Sequence, residues 1–266
     1  MNRLVLMTRL VLTATLAGAC ASASHTQRPD TFEARKRLTR ELVARRDLPE
    51  AFVYATRLHS EKPHDAEVLV MRGTVYREQG LFTEAEADFR EALGLHEEDP
   101  DGHAALALLL DETERGAEAE KHHERAIALA PTNPALHNNA GFSLFLRRKF
   151  EGAVAHYQAA LRLDPVNRRI RTNLGYAYAG LNDWPRAARE FDKGALSPGR
   201  AKNNLGFAYE RHGNLATAFA LYEQAVRLDP ACTEARQNLL AVALKLNRPL
   251  PEDLPSEADA SERKQP

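Results

Sequence analysis

The sequence predicts an all-α fold in which pairs of helices stack into a solenoid. Three observations predict it. One word recurs, as "NNAGFSLFLRR" from Asn138, "TNLGYAYAGLN" from Thr172 and "NNLGFAYERHG" from Asn203, at intervals of 34 and then 31 residues. Alanines hold the same register at Ala51, Ala85, Ala119, Ala153, Ala187 and Ala218. Each interval carries two runs of apolar residues at helical spacing, and prolines end most intervals, at Pro63, Pro131, Pro165 and Pro230.

Residues 1–20 stand apart. Arg3 and Arg9 precede the short apolar run Leu10–Ala19, the plan of an export signal and too short to span a bilayer. Two processing routes fit its end. Ala17-Gly18-Ala19 suits an ordinary signal peptidase, whereas "LAGAC" resembles a bacterial lipobox in which Cys20 becomes the lipidated first residue. That resemblance implies a lipid anchor in the outer membrane facing the periplasm; the first route implies a soluble periplasmic protein. The polar stretch 21–31 reads as a tether, and residues 248–266, rich in proline and charge, read as a disordered tail.

Between them, six units run over 32–65, 66–99, 100–133, 134–167, 168–198 and 199–232, followed by a capping helix over 233–247. In each unit a small residue stands twelve places before the landmark alanine: Gly73, Ala107, Gly141, Gly175 and Gly206, with Thr39 the exception. These sites predict close helix crossings, and Leu144 and Tyr157 are read as filling the space between layers. The fifth unit is three residues short, a deletion read as lying in the connector between units, which predicts one altered stacking angle with every helix kept.

This spacing and column pattern resembles the tetratricopeptide repeat over residues 32–232. The resemblance implies a right-handed superhelix whose first helices line a concave groove that binds other proteins or extended peptide segments. Carried onto this sequence, the groove positions are Asn139, Asn173, Asn204 and Asn238, then Phe142, Tyr176 and Phe207, with Phe145, Arg169 and Arg200. An asparagine amide both donates and accepts, so a row of them suits peptide backbone, while aromatics offer pockets and arginines take carboxylates. The same asparagines could instead satisfy polar groups between helices. The lysine–asparagine pair of the family's chaperone-tail clamp is missing from the first unit.

Chemistry is not legible. There is no phosphate-cradling glycine loop, nucleophile elbow or H-E-x-x-H pair, which predicts a non-enzymatic protein with no cofactor, metal or small-molecule substrate. Adjacent His122 and His123 point about 100° apart on a helix, and His123 falls in the aromatic column of Phe89, Tyr157, Phe191 and Tyr222, so it reads as core. The 36 basic and 37 acidic residues leave no whole-chain field for nucleic acid, and two cysteines make no disulfide framework.

Two stretches are similar to lipoproteins of pilus biogenesis. "AKNNLGFAYERHGNLATAFALYEQAVRLDP" resembles the tight-adherence pilus assembly type, and "AEKHHERAIALAPTNPALHNNAGFSLF" the type IV pilus pilotin. They imply a scaffold that docks envelope machinery; an adaptor for cell-wall or outer-membrane assembly proteins is the alternative.

Overall fold

The computed structural model describes residues 31–255; the predicted signal, Cys20 and most of the tether lie outside the described residues. The helices are α1 (Phe32–Arg45), α2 (Leu48–Glu61), α3 (Ala66–Glu78), α4 (Phe82–Leu95), α5 (Pro100–Glu112), α6 (Gly116–Leu129), α7 (Pro134–Leu146), α8 (Phe150–Leu163), α9 (Arg168–Gly180), α10 (Trp184–Gly194), α11 (Pro198–Arg211), α12 (Leu215–Leu228) and α13 (Thr233–Lys245). None is long and apolar enough to cross a membrane.

Helix starts are written locally. Thr31, Asp65, Asp99, Asn133, Asn167 and Ser197 each accept a backbone N–H at the head of a first helix, and Pro100, Pro134 and Pro198 occupy first helical positions. The turn inside each unit is equally regular. Arg46, Gly80, Glu114, Arg148, Asn182, Gly213 and Asn247 all have positive φ and occupy one repeat position. Only two of the seven are glycine, so most of these turns hold an L-residue in a left-handed conformation.

The landmark alanines are all fully buried, as are Ala160 and Ala225 in a second column of the second helices, where the first unit has the larger Leu58, also buried. Complementary volumes close each helix pair. A Cβ built on Gly73, Gly141, Gly175 or Gly206 would stand within 3.0 Å of the ring of Phe89, Tyr157, Phe191 or Tyr222 respectively. Where the ring column holds the smaller His123, the partner column holds Ala107; where it holds Ala55, the partner column holds Thr39, and all four are buried. The exceptional Thr39 therefore belongs to the pattern: ring size and partner size vary inversely.

Successive first helices pack backbone against backbone along the whole stack, α1 to α3 through to α11 to α13, while among the described residues successive second helices stand farther apart and meet through long side chains such as Arg90 and Glu118. A stack joined that way curves with its first helices inside. This gives the concave face its physical cause.

Two expectations change. The fifth unit's missing residues come out of a helix: α10 has 11 residues where the other second helices have 14, ending at Gly194, and α11 starts at Pro198. Residues 248–255, expected to be disordered, lie back on the last unit instead. Arg248 covers the Phe219 ring at 4.1 Å, Leu254 packs on the α12–α13 core, and Asp253 takes Arg227 at 2.8 Å. An apolar Leu254 and two charge contacts outweigh the local proline content.

Candidate functional site: the concave trough

Two cavities open on the inner face, and both are lined by the same first-helix columns. The larger, about 1290 Å³, crosses α1, α3 and α5 and is walled by Lys36, Arg40, Glu67, Val70, Met71 and Thr74 with the connector before α5. The smaller, about 450 Å³, lies between α9 and α11 where α10 is short, among Arg168, Arg169, Thr172, Arg200, Asn203 and Asn204. The sequence reading placed the groove only in the C-terminal half. It missed the larger cavity because Val70, Met71 and Thr74 share no recurring residue type with Asn139 or Phe142.

The asparagine row splits into two classes. Asn173 donates to Asn138 Oδ1 and Asn238 to Asn203 Oδ1, each at 2.9 Å, so these amides join successive units. The Asn204 side chain makes no hydrogen bond among the described residues, and that of Asn139 accepts only a long 3.5 Å contact from Asn138. Asn139 and Asn204 thus keep their amide N–H groups for a ligand. All four predicted asparagines are half-buried on the inner face.

The aromatic positions follow suit. Phe142 and Phe207 are 44% and 42% exposed, high for phenylalanine and enough to offer apolar contact. Tyr176 meets Phe207 edge-on at 6.0 Å and Phe191 at 4.8 Å, and burial pushes its hydroxyl up to about 12, so it remains protonated. Phe145 is turned partly inward, with its ring 5.6 Å from Phe150.

Arg200 leans 3.6 Å from Glu234. Arg169 and its neighbour Arg168 are exposed and form no ion pair among the described residues. They occupy the first turn of α9, where α1, α3, α5 and α13 carry Glu33, Glu67, Asp101 and Glu234. Cations there oppose the helix dipole, at a cost of about 0.3–1 kcal/mol each.

The histidines are structural in a way the sequence hid. His123 is buried and bonds Asp111 at 2.9 Å, and Asp111 also accepts from Ser143 of the next unit at 2.6 Å. His122 pairs with His103 at 2.9 Å, and the equivalent His156 and His137 stand 3.5 Å apart one unit later. Among the described residues no group of three or more His, Cys, Asp or Glu is placed to hold a metal ion. Cys232 is buried and its thiol is pushed up by that burial.

Sequence profiles of the tetratricopeptide repeat match residues 33–134 in two overlapping copies and 199–232, and a TPR repeat profile matches 143–182. The chain is built of tetratricopeptide repeats. No curated protein sequence matches it. Among solved structures, this TPR chain is similar to PilW, a widely conserved type IV pilus biogenesis factor, at 18% identity and TM-score 0.65, covering 78% of this chain and 98% of that one. PilF of Pseudomonas aeruginosa gives 18% identity and TM-score 0.60, over 79% and 97%. The Cut9–Hcn1 structure of the APC/C gives 16% and 0.63 over 81% of this chain, which spans 43% of that one. YrrB, a TPR protein with an unusual peptide-binding site, gives 19% and 0.52 over 69% and 96%. At these identities the likeness is one of fold.

Proposed function

We propose that this chain is an exported scaffold that holds an extended segment of another protein in its trough, and so docks or helps assemble envelope machinery such as a pilus or secretion system. The observation that carries the reading is the inner face itself: Asn139 and Asn204 have uncommitted amides beside the exposed rings of Phe142 and Phe207. Those groups suit backbone and side chains of a strand laid along the curve. The pilus role is supported by the pilotin-like stretch around "NNAGFSLF" and by an overlap that takes in nearly the whole of PilW and PilF. Membrane attachment rests on the lipobox-like "LAGAC" ending at Cys20.

Cross-linking in intact cells tests the groove. An Asn139→Ala, Asn204→Ala, Phe207→Ala triple variant should lose the partners captured by the unaltered protein; equal yield of the same partners would defeat the reading. Separately, Cys20→Ser should release the protein from membranes, and continued membrane association would remove the anchor.

A further inference from the structure

The trough is electrically divided. At the second position of successive units the chain reads Glu33, Glu67 and Asp101, then Ala135, then Arg169 and Arg200. The larger cavity, in the N-terminal half, is lined by six carboxylates against three lysine or arginine groups. The smaller is lined by three arginines against one glutamate. Whole-chain charge is near zero, so the separation is internal.

Neither end is neutralised by its own neighbours. Lys36 and Arg40 are held by Glu67, which leaves Asp101 without an ion pair among the described residues. Partial desolvation, then the charges of Asp99 and Glu67, hold the Asp101 carboxyl above the usual carboxylate range. At the other end Arg168 and Arg169 are unpaired and sit against the α9 dipole. Each end gains when a group of opposite charge arrives.

Accepting the peptide-trough reading above, we infer that the bound segment is bipolar, with basic residues over α1–α5 and acidic residues or a terminal carboxylate between α9 and α11. An all-anionic partner, nucleic acid included, would meet the Glu67–Asp101 end unfavourably. Three unit steps separate α3 from α9. At about 10 Å per packed helix they span roughly 30 Å, or about nine residues of extended chain.

The test uses the full chain and pooled synthetic peptides of about fourteen residues. One pool carries a Lys-Arg pair and a Glu-Glu pair separated by about nine randomised neutral residues; control pools carry two basic pairs, two acidic pairs or none. The bipolar pool should be retained about tenfold more tightly than any control. Arg168→Glu/Arg169→Glu, both exposed, should erase that advantage while keeping the helical spectrum, and the doubly basic pool should then bind best. Equal retention of an acidic, basic or neutral pool would overturn the inference, as would an oligonucleotide held as tightly as the bipolar pool. Bipolar-pool binding unaffected by the arginine reversals would remove the polarity and leave the trough standing. Failure of the trough shows separately, as unchanged capture by the Asn139/Asn204/Phe207 variant.

Discussion

Units one to three and units four to six are built on one register but joined by different forces. In the first half, charged pairs bridge successive units: Lys36 to Glu67 at 2.5 Å, Arg77 to Glu112 at 2.7 Å, Arg90 to Glu118 at 2.7 Å and Arg115 to Glu86 at 2.8 Å. In the second half, neutral contacts bridge them: Asn138 with Asn173, Gln158 with Tyr178 at 2.9 Å, and Trp184 stacked on Tyr209 at 3.9 Å. Lys36 and Arg40 of α1 both reach Glu67 of the next unit. Exposed ion pairs contribute about 0–1 kcal/mol each and are screened by salt, whereas stacked rings and buried amides are indifferent to it. The half that exposes aromatics is therefore also the half whose geometry does not depend on ionic conditions.

The largest test of that contrast is Gly175→Leu. A single Cβ there already falls 2.7 Å from Phe191, so the substitution should destabilise by about 1–3 kcal/mol, seen as a lower chemical-denaturation midpoint. An unchanged midpoint would break the packing account of the second half. At the boundary between halves, Asp111→Ala leaves buried His123 and Ser143 without their shared acceptor and should cost about 1–3 kcal/mol.

Acid distinguishes the units that carry depressed histidines, the first with His59, the third with His122 and the fourth with His156, from the rest. Burial, then the facing imidazole, holds His122 and His156 below the ordinary histidine range; Glu118 and Arg90 also face His122, and Glu120 and Glu124 face His156. A depressed base binds fewer protons folded than unfolded. Its contribution is complete above the unfolded value near 6.5 and declines as pH falls below it. Stability measured from pH 7.5 to 5 (about that range) should fall, and His122→Asn/His156→Asn should flatten the fall. Carboxylates held low by arginines, such as Glu118 and Glu120, act at more acid pH.

A smaller effect runs the other way. Arg148 has φ of 59°, and Arg148→Gly should stabilise by about 0.5–1 kcal/mol by removing left-handed strain. Least of all is salt. Near 1 M, where screening acts over about 3 Å, amide exchange in α1–α4 should quicken by a few tenths of a kcal/mol while α9–α12 stays constant.

The repeat was legible because packing is periodic: alanine at a crossing and glycine under a ring are forced at every turn of the solenoid. Thr39 looked anomalous only because its partner, Ala55, departs from the ring column at the same time. The left-handed turn was nearly invisible, since Arg46, Glu114 and Arg148 carry none of the usual glycine signal. Within the trough, Asn173 and Asn204 look alike in sequence, yet one is spent on Asn138 and the other is uncommitted. That difference depends on which neighbour the preceding unit brings: Asn138 and Asn203 stand one place before the asparagine column, where the fifth unit carries Thr172. The histidine pairs escaped notice for the same reason: His103 and His122 meet only across a helix pair.

The central claim is that the inner face holds another polypeptide. Photo-reactive side chains placed singly at Phe142 and Phe207 on the inner helices, and at Ala155 and Gln224 exposed on α8 and α12, test it in intact cells. The account predicts one discrete protein adduct shared by the two inner positions and none from the outer pair. The same adduct at all four positions, or from the outer pair alone, would contradict it.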